Sequence, residues 1–378
     1  MKQAARQILV TGANGFIGRN LIVRLNELQD LTVIPFVRGD DISCLQGLVS
    51  QVDAVIHLAG ENRPKEDEAF KRVNTDLTVA VCDAIRHELN STSRKIPLIL
   101  ASSTQAELNN PYGRSKLAAE GAVKELAKVS DNPCTVFRLP GVFGKWSKPN
   151  YNSVVATFCH NIARDLPIHI NDFSATIRLV YVDDVVSAML EALEFSQSGY
   201  RAVTVQPEYA ITLDELAKNI KAFDLCRNSP LKIEPVGEGF LRALYATYVS
   251  YLPSERFSYK LPQYADVRGV FVEMLKTHDS GQFSYFTAHP GITRGGHYHH
   301  TKTEKFLVVK GKALFRFRQL LTNERVEIFT SGVKPEMVDT IPGWVHDITN
   351  VGDDEMIVML WANELFDRAN PDTYTCPL

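Results

Sequence analysis

The sequence predicts an α/β fold class, with a doubly wound parallel sheet over residues 1–252 and an all-β domain over residues 253–378. Three observations carry this. Short apolar runs alternate with longer segments of helical period through the first half, a glycine-rich turn joins the first run to the first helix, and after Pro253 short β-type runs replace the helical period. The candidate strands of the first part are Gln7–Val10, Leu31–Val37, Ala54–Leu58, Ile96–Ser102 and Cys134–Leu139, with helices such as Phe16–Leu28 and Pro111–Val129 between them. Strands separated by helices pair in parallel, with the helices crossing over the sheet faces. Thr212-Leu-Asp-Glu215 has the spacing of a capping box and opens a helix to Phe223, and Glu238–Tyr251 reads as another. In the last part the runs Gly269–Met274, Phe283–Ala288, Lys305–Val309, Ala313–Phe317, Arg325–Phe329 and Met356–Trp361 are broken by Gly, Pro, Asp and Asn, which suggests an antiparallel sandwich or barrel.

Length and composition set the bounds. A chain of 378 residues has room for two or three domains, and 45% hydrophobic with 22% charged residues is an ordinary globular balance. The 41 basic and 44 acidic side chains give a net charge of −3 with no long block of one sign, so neither a nucleic-acid nor a membrane partner is expected. Cys44, Cys82, Cys134, Cys159, Cys226 and Cys376 are scattered, with neither a disulfide framework nor a cysteine metal motif, and the cytoplasm fits them best. The start of the chain is basic, but its apolar run is only Ile8–Val10, so no signal peptide is expected; Met356–Ala362 is far too short to span a bilayer.

Thr11-Gly-Ala-Asn-Gly-Phe-Ile-Gly18 places glycines at 12, 15 and 18 between strand and helix. There they allow a pyrophosphate to approach the backbone, while the helix N-terminus offers free N–H groups and positive potential, so a dinucleotide is expected on a Rossmann-type sheet. The second strand ends Phe36-Val37-Arg38, with a guanidinium where an acidic residue would hold the ribose of NAD, which favours the 2′-phosphate of NADP(H); Asp40 and Asp41 lie slightly late for the ribose role.

Tyr112-Gly-Arg-Ser-Lys116 sets a phenol and an ammonium one turn apart on a helix, shortly after the strand end Ser102-Ser103-Thr104. A nearby ammonium stabilises phenolate, so a lowered tyrosine pKa is expected and the phenol becomes a proton donor and acceptor.

These pieces together resemble an extended short-chain dehydrogenase/reductase of the nucleotide-sugar branch: TGANGFIG, His57-Leu-Ala-Gly60, Asn74 with Thr78, the SST run, YGRSK, Arg138-Leu-Pro-Gly-Val-Phe-Gly144 and Tyr181-Val-Asp-Asp184. The resemblance implies that Tyr112 is the general acid, that Lys116 orients the nicotinamide ribose, and that Thr104, with Ser103 as fallback, hydrogen-bonds the substrate carbonyl. It implies a cofactor site of Gly12, Asn14, Gly15, Phe16, Ile17, Gly18, Arg38, Leu58, Ala59, Gly60, Asn74, Tyr112 and Lys116, and a homodimer through helices that include Ala69–Leu89 and Pro111–Val129. Two departures bear on the reaction. The stretch Gln105–Pro111 is shorter than in the epimerases and dehydratases of this family, which leaves the register of the carbonyl-binding hydroxyl open between Thr104 and Ser103; and no Asp-Glu pair accompanies Thr104, which favours plain carbonyl reduction.

The last part carries its own chemistry. His297 and His299 share one strand face with Glu304 just beyond, and Pro342-Gly-Trp-Val-His346 brings a third imidazole from another strand. Three His and one Glu can surround a divalent ion, with zinc the first choice for a nitrogen-rich set. The spacing Gly291-x₅-His297-x-His299-x₄-Glu304-x₆-Gly311 resembles a cupin, a jelly-roll fold that includes sugar-nucleotide 3,5-epimerases, and Asp266–Glu273 resembles their first strand.

Over its whole length the chain resembles the CapF-type bifunctional enzymes of capsule and O-antigen synthesis. That implies C3 epimerisation of a UDP-2-acetamido-2,6-dideoxy-4-hexulose, then NADPH reduction at C4 to the 6-deoxy-L-talose sugar, precursor of UDP-N-acetyl-L-fucosamine. The chemistry fixes the order, because the C3 proton is acidic only while C4 is a ketone. His299 and His300 are candidates for the C3 base and Lys302 for holding the enolate. The alternatives are a reductase with a structural β domain and a cofactor-sensing protein without turnover.

Overall fold

The computed structural model describes residues 5–194, 197–227, 233–261, 263–266, 269–272, 281–364 and 369–378. It divides into two compact units, Met1–Lys148 with Ile177–Ala210 and Pro149–Thr176 with Ile211–Leu378, so the expected boundary at 252/253 falls inside the second unit. A change of sequence texture marks where helices give way to strands, and does not reveal which layer the preceding helices pack in.

In the first unit the elements run β1 (Arg6–Thr11), α1 (Phe16–Asn26), β2 (Leu31–Phe36), α2 (Leu45–Val49), β3 (Ala54–His57), α3 (Glu68–Phe70), α4 (Leu77–Thr92), β4 (Leu98–Ser103), α5 (Pro111–Ser130), β5 (Cys134–Leu139) and β6 (Gly141–Phe143). After α6 (Val154–Ile162) of the second unit come β7 (Thr176–Tyr181), α7 (Val182–Leu193), β8 (Tyr200–Val203) and β9 (Glu208–Thr212). The expected runs coincide with β1 to β5 to within two residues at each end.

The sheet order is β2-β1-β3-β4-β5-β8, all parallel. Strand alternation gives it two apolar faces. Leu9, Val55, Leu98, Leu100 and Val136 pack with Val81 and Ile85 of α4 and Val123 and Leu126 of α5. Ile8, Val10, Ile56, Ile99 and Phe137 pack on the other face with Leu21 and Leu25 of α1 and Val185 and Met189 of α7. Burial of each such side chain contributes about 1.5–3 kcal/mol, so both faces must be covered, as in a doubly wound sheet. The chain leaves β1 for β2 on one side and β3 lies on the other; the crevice beyond their C-terminal ends is where such sheets take ligands.

The second unit adds α8 (Leu213–Leu225), α9 (Gly239–Val249), β10 (Ser258–Lys260), β11 (Gln263–Asp266), β12 (Gly269–Val272), β13 (Gln282–Ala288), β14 (Thr293–Tyr298), β15 (Glu304–Lys310), β16 (Lys312–Gln319), β17 (Arg325–Ser331), β18 (Glu336–Asp339), β19 (Trp344–Asn350), β20 (Met356–Ala362) and β21 (Tyr374–Thr375). The capping box forms as expected, with Thr212 and Glu215 satisfying each other's backbone N–H. Two five-stranded sheets, β10-β18-β15-β20-β13 and β17-β16-β19-β14-β21, give the all-β part. Phe306 of one meets Phe315 of the other with ring centroids 5.8 Å apart. Within this unit Arg227, beyond α8, pairs with Asp339 of β18, and Asn363 donates to Val236 O, which ties the helical segment to the strands. Of the run Asp266–Glu273, Asp266 and Gly269–Val272 belong to the hairpin β11–β12, and Val267, Arg268 and Glu273 lie outside the described residues.

Candidate functional site

In the first unit, Gly12 leaves β1 with φ +69, and a Cβ there would stand 2.6 Å from Ala59 N, so only glycine fits this turn. Gly15 N–H bonds Gly12 O at 2.8 Å and Gly15 is the N-cap of α1, which leaves the first N–H groups of the helix to the crevice. Asn14 and Gly15 are exposed, Phe16 and Ile17 half-buried, and Gly18 is buried against the turn. Leu58, Ala59 and Gly60 follow β3, and a Cβ on Gly60 would lie 3.2 Å from both Asn74 Oδ1 and Lys116 Nζ. This bare backbone cradle beside free N–H groups fits a dinucleotide pyrophosphate. Arg38, beyond β2, is exposed and its Nη2 lies 2.8 Å from Glu61 Oε2. Asp40 and Asp41 accept the N–H groups of Val37 and Ser43, which commits both to the turn.

Beneath the cradle lies a hydrogen-bonded chain that motif reading did not assign. Thr78 Oγ1 donates to Asn74 O at 2.7 Å, so His57 donates to Thr78 through Nε2–H at 2.8 Å and accepts from the Thr11 hydroxyl at Nδ1 at 2.6 Å. Burial, and then the Lys116 ammonium, hold His57 down at about 3, so the ring is neutral. Residues Lys71–Asp76 form a π-helical turn that presents Asn74, whose Nδ2 donates to Ser115 Oγ at 2.9 Å.

Helix α5 begins with Asn110 capping Gly113 N–H at 2.7 Å and Pro111 in the first turn, which presents Tyr112 and Lys116 on one face. Lys116 Nζ donates to Ala101 O at 3.0 Å. Burial lowers its pKa to about 8, with Glu120 opposing. The Tyr112 phenol departs from expectation: burial pushes it up, and the hydrogen bond with Ser103 only partly offsets that, so it is held protonated. The hydroxyl at the phenol is that of Ser103 rather than Thr104. The strand β4 runs through Ser103, which is buried and caps Gln105 N–H at 3.1 Å, and the 3₁₀ turn that starts at Thr104 carries that side chain into solvent.

Sequence reading also missed Glu120. It continues the Tyr112–Lys116 stripe by one turn, accepts from Ser102 Oγ at 2.5 Å, and takes both Nε and Nη2 of Arg138 at 3.0 and 2.7 Å. The i, i+4, i+8 spacing is visible in the sequence, whereas the partners on β4 and β5 are not.

In the second unit, Gly295 and Gly296 have φ of +104 and +74 at a bulge in β14, and His297 then pairs with His346 of β19. His299 follows, and Glu304 opens β15 with its N–H on Thr340 Oγ1 at 2.9 Å. One ligand atom from each of His297, His299, Glu304 and His346 lies within 4.8 Å of the others. Burial, then His346 and His299, lower His297 to about 3, and His346 is also lowered by burial. Burial opposes ionisation of Glu304, but His299, His346 and Lys302 outweigh it and hold the carboxylate well below its usual range. The lowered His297 and His346 and the ionised Glu304 are in the protonation states a metal requires. Neither nitrogen of buried His346 has a hydrogen-bond partner within 3.5 Å, and Nε2 stands 3.6 Å from Glu304 Oε2, an arrangement that a cation between them would relieve. The four residues therefore fit a divalent ion.

His299 also uses Nδ1 on Asp372 O. His300 turns to the other side, with its ring 5.7 Å from that of Tyr298 and 5.0 Å from that of Tyr374. Lys302 stays with the cluster, its Nζ 3.0 Å from Glu304 Oε1.

The chain matches the NAD dependent epimerase/dehydratase family over residues 8–205 and the Polysaccharide biosynthesis C-terminal domain over residues 264–374. It is similar to the UDP-2-acetamido-2,6-beta-L-arabino-hexul-4-ose reductase of Pseudomonas aeruginosa, 56% identical over 370 residues that cover 98% of each chain. Among solved structures, the capsular polysaccharide assembling protein CapF from Staphylococcus aureus is 39% identical, with a TM-score of 0.64 over 98% of this chain and 100% of that one. UDP-glucuronic acid 4-epimerase from Bacillus cereus in complex with NAD, 20% identical with a TM-score of 0.51 over 57% of this chain and 82% of that one, shares the fold.

Proposed function

Because the chain belongs to the NAD dependent epimerase/dehydratase family, in the CapF-like group that continues into a polysaccharide biosynthesis C-terminal domain, we propose that it acts twice on a UDP-2-acetamido-2,6-dideoxy-4-hexulose. The second unit inverts C3, and the first reduces the C4 ketone with NADPH to UDP-2-acetamido-2,6-dideoxy-L-talose. The chain is a nucleotide-sugar oxidoreductase of the short-chain dehydrogenase/reductase type. The observation that carries the reductive half is the Tyr112–Ser103–Lys116 constellation beside the glycine cradle, in a chain 56% identical to a protein named as a hexul-4-ose reductase.

The glycine cradle would hold the nicotinamide cofactor, which would supply the hydride to C4. Ser103 holds the ketone oxygen, and Tyr112, kept neutral by burial, gives that oxygen its proton. The Lys116 ammonium, fixed on Ala101 O, offsets the negative charge left on the phenol oxygen. The exposed Arg38 guanidinium supports the 2′-phosphate of NADPH over NAD.

In the second unit, His297, His299, Glu304 and His346 would hold a divalent ion, zinc by the donor set, which would supply Lewis-acid polarisation of the C4 ketone. Lys302 adds positive charge where the enolate forms. Both nitrogens of His299 are committed and His300 faces away, so neither supports the role of C3 base.

Incubation with the ketosugar in D₂O tests the pair of steps. C3–H should exchange without NADPH, and NADPH should be oxidised only when it is added to the ketosugar. No C3–H exchange in either wild type or Tyr112→Phe removes the epimerase half.

The convergence of four side chains on one point favours a second reading, in which the ion is structural. His346→Ala then lowers the melting temperature without changing stereochemistry at C3.

The exposed apolar residues Val79 of α4 and Leu117 and Val129 of α5 support a homodimer through those helices. Six free cysteines, and described helices none of which is long and apolar enough to cross a membrane, support a cytoplasmic enzyme.

A further inference from the structure

Residues 372–376 are tied to the strand that carries the imidazoles. β21 pairs with β14 at Thr375↔His297 and Tyr374↔Tyr298, and Cys376 N–H donates to Gly296 O at 2.8 Å. The Tyr374 ring stacks on Tyr298, 5.5 Å between centroids at 27°.

Asp372 makes the most specific contacts. Its carboxylate accepts the backbone N–H groups of His300 at 2.9 Å and of Thr301 and Lys302 at 2.7 Å, with the Thr301 hydroxyl at 3.0 Å. Its carbonyl oxygen accepts from His299 Nδ1–H. An acceptor there puts the proton on Nδ1, which leaves the lone pair on Nε2, the nitrogen 3.2 Å from Glu304 Oε2. Only residues 300–303 connect His299 to Glu304, and Asp372 ties three of those four by their backbone.

We propose that residues 372–376 are a strap that completes the metal centre from outside the ligand set, with Asp372 as a positioning residue that fixes the His299 ring and the turn leading to Glu304. The inference rests on the metal reading of His297, His299, Glu304 and His346.

The test uses the full-length protein as wild type, Asp372→Ala and the milder Asp372→Asn. Each is stripped with a chelator, then titrated with Zn²⁺ against a chromophoric competitor, and separately loaded with Co²⁺ for its d–d spectrum. Melting temperatures with and without zinc separate metal affinity from fold stability, and NADPH binding reports an intact first unit.

Asp372→Ala should weaken Zn²⁺ binding by about 10–100-fold and weaken and broaden the Co²⁺ bands. Asp372→Asn, which keeps one acceptor, should recover part of both. Unchanged affinity and spectrum in both variants overturn the strap and leave the metal reading standing, as does an equal fall in melting temperature with and without zinc at full affinity. A wild type that binds neither ion overturns both.

Discussion

Ser103→Ala removes the hydroxyl of a buried residue, 8% exposed, that is hydrogen-bonded to the Tyr112 phenol. If that hydroxyl holds the ketone oxygen as charge develops on it, its loss lowers kcat by about 10²–10³-fold, or about 2.7–4 kcal/mol, the range for one donor to an oxyanion. Part of any effect is structural, because Ser103 also caps Gln105 N–H at 3.1 Å, and a lost cap costs about 1 kcal/mol of stability. Ser103→Thr keeps both functions and should restore most of the rate. Thr104→Val changes an exposed side chain at the start of the 3₁₀ turn and should stay within about threefold of wild type. The assay is single-turnover NADPH oxidation at saturating ketosugar, with melting curves to separate the cap from the chemistry. A hundredfold loss in Thr104→Val with Ser103→Ala near wild type would refute the assignment.

Lys116 gives a paired pH signature. Its ammonium is needed at the site and burial lowers its pKa from 10.5 to about 8, so kcat should fall above about pH 8. Stability moves the other way: between pH 8 and 10.5 the unfolded chain holds a proton that the folded protein has released, so this group's contribution rises with pH, and denaturant midpoints should lose that rise in Lys116→Met. Glu120→Gln removes the charge that opposes the lowering, so the alkaline limb of kcat should move to lower pH; weakening the Arg138 pair should also cost about 2 kcal/mol in urea unfolding. Gly12→Ala puts a methyl 2.6 Å from Ala59 N at positive φ and should weaken NADPH binding by more than about tenfold in fluorescence titration, a loss of about 1.4 kcal/mol.

Features set by local spacing were legible in the sequence. The glycine turn, the Tyr112–Lys116 face and the His297–His299 alternation each follow from the period of one element, and the structure brings each set together. The sequence is silent where an element ends or where distant segments meet. One residue of strand length decides between Ser103 and Thr104, and the turn after Tyr298 sends His299 and His300 to different sides. The direction of the Tyr112 shift depends on how deeply the ring is covered, which the adjacent lysine does not reveal. Glu120 with Arg138 and Asp372 with residues 300–302 are long-range partners, and residues 149–176 and 211–252 join the β-rich unit through contacts that no periodicity encodes.

Deuteride transfer tests the central chemistry most directly. With NADPH deuterated at the transferable position and the UDP-4-hexulose as acceptor, the account predicts one deuterium at C4 of the product sugar, and a single-turnover rate about 10²–10⁴-fold lower in Tyr112→Phe. Product without deuterium at C4, or full-rate transfer by Tyr112→Phe, would contradict it.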